Sequence, residues 1–346
     1  MSQHKAALLD GPNLPLSVRA IATPEPGPDE VLIRVRAVAI NPFDWKVQEN
    51  GAFIESWPTI LGADIAGDVV AVGPHVDGTA TKFSQGQRVI AFSQMLTTKD
   101  IKNAGFQELV VAPITAVAPL PDTLAYEQGV VLPLGVSTAA CALFQSDQIG
   151  LENRPVLGKP ESNGKTLLVW GGGASVGMSA IQLAVAAGYG VVATASPKNF
   201  DLLRGLGARA VLDYHSEDIV RDLIAELKSG GEFVGVLDAI GQPETQKAAA
   251  QVASEMGGGR MTTADFPLDG LPDNVKTKWV FAPTIFEDHK EIGRMIWHDY
   301  MPEALKNGNL KPVPPPEVVG KGLDAIQAAI YKGKAGVSAR KLVVLI

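Results

Sequence analysis

An apolar run of strand length, Thr166-Leu-Leu-Val-Trp170, leads directly into Gly171-Gly172-Gly173-Ala174-Ser175-Val176-Gly177. A helical pattern follows, with Met178, Ile181, Leu183, Ala184 and Ala187 apolar and Gly188 at its end. Strand, glycine turn and helix start, in that order, make the first βα unit of a dinucleotide-binding sheet. Glycines let the backbone pass close to a pyrophosphate, and the free N–H groups and dipole of the helix start favour its charge. The spacing Gly171, Gly173, Gly177 is one residue longer than G-x-G-x-x-G, and glycine clusters also occur as plain turns. Its position between a strand and a helix favours the nucleotide reading, so Gly171 to Gly177 are expected cofactor contacts.

The helix ends near Gly188-Tyr-Gly190, and Val191–Ala195 reads as the next parallel strand. An NAD-binding sheet places an acid about 20 residues past the glycines, on the ribose 2′-hydroxyl. This chain has Ser196-Pro197-Lys198-Asn199 there. A carboxylate repels a 2′-phosphate, whereas a hydroxyl, an ammonium and an amide bind one. Ser196, Lys198 and Asn199 therefore predict NADPH rather than NADH. The same residues suit an N-cap turn before a helix over Phe200–Leu206, and the two roles are compatible.

The alternation continues. Strands are predicted at 210–214, 233–238, 259–263 and 279–282, and helices at 219–227 and 245–253. Such alternation implies a doubly wound parallel sheet with ligands at the carboxyl ends of its strands. Tyr214, Asp238 and Ile240 fall at such ends, as do Phe281 and Ala282, read as walls of the nicotinamide pocket. Tyr214 has two readings, a flank for the adenine or an exposed tyrosine closing a strand.

Upstream the texture changes to short β-rich runs with Gly and Pro punctuation. Candidate strands at 6–9, 31–40, 64–72, 87–91 and 108–111 suggest a small barrel-like β domain. Arg34 and Arg36 alternate with apolar neighbours, as on a half-exposed strand. Residues 123–143 read as mostly helical and 152–163 as a polar loop. A helix around 292–305, a stiff proline connector at 311–316, a helix over 322–331 and a final strand over 341–346 close the chain, the last strand returning to the N-terminal domain.

A chain of 346 residues, 46% hydrophobic and 19% charged, has material for two globular domains. A net charge of −7 without a basic run argues against nucleic acid or an anionic membrane as partner. The N-terminus lacks an apolar core of signal-peptide length, and no segment reaches transmembrane length without charge, so the expected compartment is the cytoplasm. The single cysteine, Cys141, lies in an apolar helical run and reads as a small core residue. Gly135-Val-Ser137-Thr-Ala139 lacks the last glycine of a nucleophile elbow and has no evident triad partner, which argues against a hydrolase.

Five stretches carry a resemblance over nearly the whole chain: Val38-Ala-Ile-Asn-Pro-Phe-Asp-Trp-Lys46, Leu61-Gly-Ala-Asp-Ile-Ala-Gly-Asp-Val-Val-Ala-Val-Gly73, Gly86-Gln-Arg-Val89, Leu132-Pro-Leu-Gly-Val-Ser-Thr-Ala139 with the glycine turn, and Gly336-Val-Ser-Ala-Arg-Lys-Leu-Val343. Together they resemble the medium-chain dehydrogenase/reductases. Within that family the chain is similar to the zinc-free quinone and enoyl reductase branch, nearest the fungal trans-acting enoyl reductases and the ToxD/CipB-like oxidoreductases of secondary metabolism. The resemblance implies an α/β architecture: a GroES-like β-barrel domain on the substrate side (1–135 and 285–346), a Rossmann domain (136–284) and a cleft between them. Zinc-dependent relatives have a cysteine near Asn41, a Gly-His-Glu where this chain has Gly62-Ala63-Asp64, and a four-cysteine lobe where it has 96–105. None of the five histidines shows paired ligand spacing, so no metal is expected.

The implied activity is hydride transfer from NADPH to the C=C bond of an α,β-unsaturated carbonyl or enoyl thioester. Its enolate needs a donor at oxygen and then a proton at carbon. Related reductases place a Tyr or Lys near the nicotinamide after the Asn41-Pro42 signature, which selects Lys46 as general acid; otherwise Lys46 is a solvated lysine on a loop. By the same resemblance Thr138 lies near the nicotinamide ribose or carboxamide, or caps a helix, and Lys341 contacts the cofactor. Asn41 holds cofactor, substrate carbonyl or a turn before Pro42. Asp44 and Asp64 read as acceptors for backbone donors. The alternatives are an NADPH quinone oxidoreductase and a non-catalytic cofactor-binding partner. Expected partners are a small enone or enoyl substrate, free or tethered to a carrier protein, with the chain as monomer or homodimer.

Overall fold

A computed structural model of the chain describes residues 2–75 and 83–346. Contacts divide the backbone into two compact units: Met1–Leu134, Trp297–Lys306 and Pro315–Ile346 form the first, Gly135–Ile296 and Asn307–Pro314 the second.

The first unit opens with β1 (Gln3–Leu9), β2 (Ser17–Ala22), β3 (Glu30–Ala39), α1 (Pro42–Asn50), β4 (Thr59–Ile60), β5 (Asp64–Val72) and β6 (Arg88–Phe92). Then come α2 (Met95–Thr98), β7 (Leu109–Pro113), β8 (Val117–Pro119) and α3 (Tyr126–Gly129). Antiparallel pairing places β1 between β2 and β4. In the larger sheet β3 lies against β5 on one edge and β7 on the other. Along β3, Val31, Ile33 and Val35 are buried while Arg34 and Arg36 face water, the period-two pattern of a half-exposed strand. One apolar cluster joins the two sheets, from Ala6 and Leu9 through Ile33 and Ile65 to Leu342 and Val344.

Lys46 lies on α1, where its alternative reading put a loop. Pro42 stands at the first helical position, the Asp44 carboxylate accepts the Asn41 N–H at 2.7 Å, and Gly51 closes the helix in the left-handed region at φ 69°. Its polar composition hid it from an apolar-period search. Strand β2 was also unexpected, being half-exposed on both faces.

The second unit is a six-stranded parallel sheet. It contains α4 (Pro133–Phe144), which starts at the end of the first unit, β9 (Lys165–Trp170), α5 (Ser175–Ala186), β10 (Gly190–Ala195), α6 (Phe200–Gly205) and β11 (Ala210–Asp213). α7 (Ile219–Ser229), β12 (Glu232–Asp238), α8 (Pro243–Glu255), β13 (Gly259–Thr263) and β14 (Val275–Trp279) follow. The strand order β11-β10-β9-β12-β13-β14 reverses direction at β9/β12, the switch point where such sheets bind ligands. β14 is displaced from the expected 279–282. Its alternating Val275-Lys-Thr-Lys-Trp279 suits a half-exposed edge, whereas the more apolar residues after it form a turn of 3₁₀ helix, Ala282–Phe286. The helix expected over 123–143 is two helices, the second beginning at Pro133. The apolar stretch Tyr126–Phe144 has the length and hydropathy of a membrane span, yet 78% of it is buried inside the protein.

α9 (Lys290–Arg294), a π-helical turn at Met295–Tyr300 and α10 (Met301–Lys306) supply the helix expected near 292–305. The chain then returns to the first unit through β15 (Pro316–Lys321), α11 (Ile326–Lys334) and β16 (Lys341–Leu345). β16 pairs antiparallel with β3 and parallel with β15. Residues 285–296 and 307–314, expected with the β domain, group with the parallel sheet. The reason is local: Lys311 exchanges hydrogen bonds with Gln182 on α5 at 2.8 and 3.2 Å, and its ammonium reaches the Gly205 carbonyl at 2.9 Å.

Candidate active site

At the carboxyl edge of the parallel sheet, the β9–α5 turn is fixed to β10. Gly171, at φ 78°, donates to Thr194 Oγ1 at 2.9 Å, and Gly172 donates to the Thr194 carbonyl at 2.8 Å. A Cβ on Gly177 would lie 2.3 Å from the Gly171 carbonyl oxygen, so α5 rests on the turn only because Gly177 has none. A Cβ on Gly173 would meet nothing nearer than Asn199 Nδ2 at 3.6 Å. Gly173 thus leaves open space over the turn. Ala174 is the N-cap and provides no side-chain acceptor. The first N–H groups of α5, from Ser175 to Gly177, are left for an anion. These features fit a dinucleotide pyrophosphate.

The ends of β10, β11 and β12 carry six of the remaining predicted contacts, Ser196, Lys198, Asn199, Tyr214, Asp238 and Ile240. Ser196 follows β10, and its hydroxyl lies 3.1 Å from that of Tyr214 after β11. Tyr214 is 43% exposed, and Lys198 is exposed on the same turn as Asn199. Ile240 overhangs the glycines, since a Cβ on Gly171 would come within 2.5 Å of it. Asp238 is a different case. Its wholly buried carboxyl accepts the Ile240 and Gly241 N–H groups at 3.0 and 3.1 Å and the Thr245 hydroxyl at 2.7 Å. Burial pushes that carboxyl above the usual range. Asp238 therefore shapes the loop that carries Ile240.

Beyond β14, Phe281 stacks with Trp279 at 5.1 Å and accepts the Thr284 hydroxyl at 2.8 Å through its carbonyl. Ala282 is buried in the 3₁₀ turn. A recess of ≈ 280 Å³ lies beside Trp279, Phe281 and Thr284; of the predicted cofactor contacts it includes only Phe281. Thr138 is buried on α4. Cys141, also on α4, donates to Gln145 Oε1 at 2.9 Å, and burial pushes its thiol up to about 11, which makes it an inert core thiol.

In the first unit Asn41 joins a buried cluster. Lys341 Nζ lies 2.9 Å from Asp64 Oδ2 and also donates to Asn41 Oδ1. Asn41 Nδ2 donates to Asp64 Oδ2 at 2.8 Å. The other Asp64 oxygen accepts the Leu134 N–H at 2.6 Å, in the first turn of α4. Asp44, fully enclosed at the N-terminus of α1, is pushed up to about 7, chiefly by burial. The Asn41 amide and the Lys341 ammonium are thus both engaged inside the unit. Lys341, expected at the cofactor, lies at the start of β16 with 3% of its side chain exposed. Lys46 is half-buried on α1, its Nζ 5.8 Å from the Trp45 ring. Two residues past Asp44, it is turned about 200° round the helix from the buried cluster.

Sequence reasoning assigned Asp44 and Asp64 only a supporting part. The sequence signal for the first is the Asn41-x-x-Asp44 spacing of a helix start. For the second it is a lone acid in the apolar run Leu61–Gly67, since a buried carboxylate requires a partner. These residues do not fit a zinc ion. Ala63 has no donor atom, the Asn41 amide is bonded on both sides, and both Asp64 oxygens are occupied.

Two domain families match the chain: "Alcohol dehydrogenase GroES-like domain" over residues 27–122 and "Zinc-binding dehydrogenase" over residues 175–287. The chain is 40% identical over 353 residues to dehydrogenase azaJ of Aspergillus niger, covering 99% of each protein. It is 40% identical over 315 residues to trans-enoyl reductase himH of Aspergillus japonicus, covering 91% of this chain and 89% of the relative. Its backbone is similar to the crystal structure of an alcohol dehydrogenase superfamily protein from Novosphingobium aromaticivorans, with a TM-score of 0.80, 27% identity and 99% of both chains covered.

Proposed function

Since the chain belongs to the medium-chain dehydrogenase/reductase family and is a nicotinamide-dependent oxidoreductase of that family, we propose that it uses NADPH to reduce the C=C bond of an α,β-unsaturated carbonyl or enoyl thioester. The observation that carries the cofactor choice is the hydroxyl pair of Ser196 and Tyr214 at the ends of β10 and β11. It stands where an NAD-specific sheet would present a carboxylate. The name of the relative himH supports the substrate class, which includes an acyl chain tethered to a carrier protein.

When bound, the nicotinamide supplies hydride to the β-carbon of the acceptor. Gly171 to Gly173 and the start of α5 hold the pyrophosphate, and Ser196, Lys198 and Asn199 hold the 2′-phosphate. Ile240 closes over the turn. Lys46 is the hydrogen-bond donor to the enolate oxygen and the proton source. Asn41 acts through the buried cluster that fixes the start of α1, and Thr138 orients the nicotinamide end. No step is assigned to zinc, because the described donors at Asn41, Ala63 and Asp64 do not fit it.

The test is NADPH consumption with C4-deuterated cofactor and trans-2-enal, enone and quinone acceptors. Deuterium at the β-carbon of a saturated product supports the proposal. Consumption with quinones alone would replace it with a quinone reductase. Cofactor binding without consumption by any free acceptor would move the test to a carrier-loaded enoyl chain.

A further inference from the structure

The end of β11 carries side chains that the nucleotide reading leaves unused. Asp213 is in register with Ala195 of β10, the residue before the turn that begins at Ser196. An acid there is the wrong charge for a 2′-phosphate and the right group for a free ribose hydroxyl. His215 engages it. Asp213 Oδ1 accepts the His215 backbone N–H at 3.0 Å and its ring Nδ1 at 2.7 Å. A carboxylate only accepts, so Nδ1 carries the proton. The same imidazole packs on the Tyr214 ring, centroids 4.0 Å apart, and the Tyr214 hydroxyl meets Ser196 at 3.1 Å. A continuous chain of contacts, Asp213–His215–Tyr214–Ser196, links the two strand ends.

We propose that His215 is a positioning residue for cofactor choice: it holds the Asp213 carboxylate and braces the Tyr214 ring, which leaves the Ser196 and Tyr214 hydroxyls to a 2′-phosphate. The proposal rests on the NADPH reading above. It explains how an acid at this strand end is compatible with a phosphorylated ribose. Its hydrogen bonds from the His215 backbone N–H and ring hold the Asp213 carboxyl below the usual range, and loss of the imidazole leaves that carboxylate with the backbone N–H alone.

The test is calorimetric binding of NADPH, NADH, 2′,5′-ADP and 5′-AMP to the full chain at low salt. The variants are His215→Ala, Asp213→Asn and the double substitution. His215 is exposed and Asp213 half-exposed, at 61% and 34%, so neither substitution opens a cavity in the core. His215→Ala is expected to weaken NADPH and 2′,5′-ADP roughly fivefold, the scale of one lost hydrogen bond, while NADH and 5′-AMP stay within about twofold. Adding Asp213→Asn restores most of that loss. Equal losses for phosphorylated and unphosphorylated ligands would overturn the proposal, as would a double variant no better than His215→Ala. If the unaltered protein does not prefer NADPH, the cofactor reading itself falls and this proposal with it; if it prefers NADPH and His215→Ala keeps that preference, only the role of His215 falls.

Discussion

The Lys341 ammonium and the Asp64 carboxylate meet at 2.9 Å with 3% and 0% of their side chains exposed. Two charges out of water are tolerable together and costly apart. Asn41 bridges them, taking a bond from Lys341 and giving one to Asp64. Lys341→Met therefore leaves a buried carboxylate uncompensated and should lower stability by roughly 3–5 kcal/mol. Urea denaturation should show most of that loss recovered when Asp64→Asn is added. If Lys341→Met left stability unchanged and lost only cofactor affinity, the ammonium would be a ligand contact and not an internal counter-ion.

Asp44 ties stability to pH. Unfolded, its carboxyl ionises near 3.8; folded, it holds its proton up to about 7, chiefly through burial. Between those values the folded state binds more proton than the unfolded one, so its contribution to stability falls as pH rises. Below the window it is fully present, and above about 7 the loss is complete. A shift of this size corresponds to roughly 4 kcal/mol across the window. Asp44→Asn keeps an acceptor for the Asn41 N–H and removes the titration. The stability difference between the two proteins, measured by urea denaturation from pH 4 to 8, should move against the unaltered protein with rising pH. A difference independent of pH would mean that Asp44 ionises normally.

What was legible in the sequence was whatever a local pattern encodes. β9, β10 and β12 are mainly apolar runs followed by helices, and burial over most of their length makes such runs stand out. β14 is an edge with alternating lysines, so its hydropathy falls below that of the turn after it. α1 was hidden for a related reason, since only Asp44, Val47 and Gln48 of its nine residues are buried. The Asn41–Asp64–Lys341 cluster lies beyond local pattern altogether, because its partners are 23 and 300 residues from Asn41. Each residue alone reads as a turn, a strand acid or a cofactor contact. Tertiary structure brings them together.

The glycines of the nucleotide turn separate folding from binding. Gly177→Ala places a methyl 2.3 Å from a backbone oxygen and should destabilise the protein by roughly 1–3 kcal/mol, the range for overpacking, which thermal denaturation would read. Gly173→Ala has 3.6 Å of room and a permitted backbone, so it should melt as the unaltered protein does. Its methyl projects over the turn and should weaken NADPH at least tenfold by fluorescence titration. Unaltered affinity in Gly173→Ala would move the pyrophosphate elsewhere.

Lys198 is exposed beside Ser196 and Asn199; in the proposed role it pairs with a 2′-phosphate and with nothing on NADH. Lys198→Ala should raise the NADPH dissociation constant several-fold and leave that of NADH within about twofold, because only the phosphorylated ligand accepts a charge-assisted hydrogen bond from the ammonium. The ratio of the two constants is the readout. Equal changes would assign Lys198 to general surface charge.

Lys46 lies on α1, away from the buried face of that helix and close to Trp45. In the proposed role of donor to a developing enolate, it would act in the transition state and not in cofactor binding. Lys46→Met should then lower kcat on an enone by about 10²-fold or more, the scale of general acid catalysis. NADPH affinity and melting temperature should remain unchanged. The pH profile adds a second readout, since an acid limb that belongs to Lys46 disappears in the variant. Turnover equal to that of the unaltered protein would remove Lys46 from the mechanism and leave proton delivery to solvent or to Thr138.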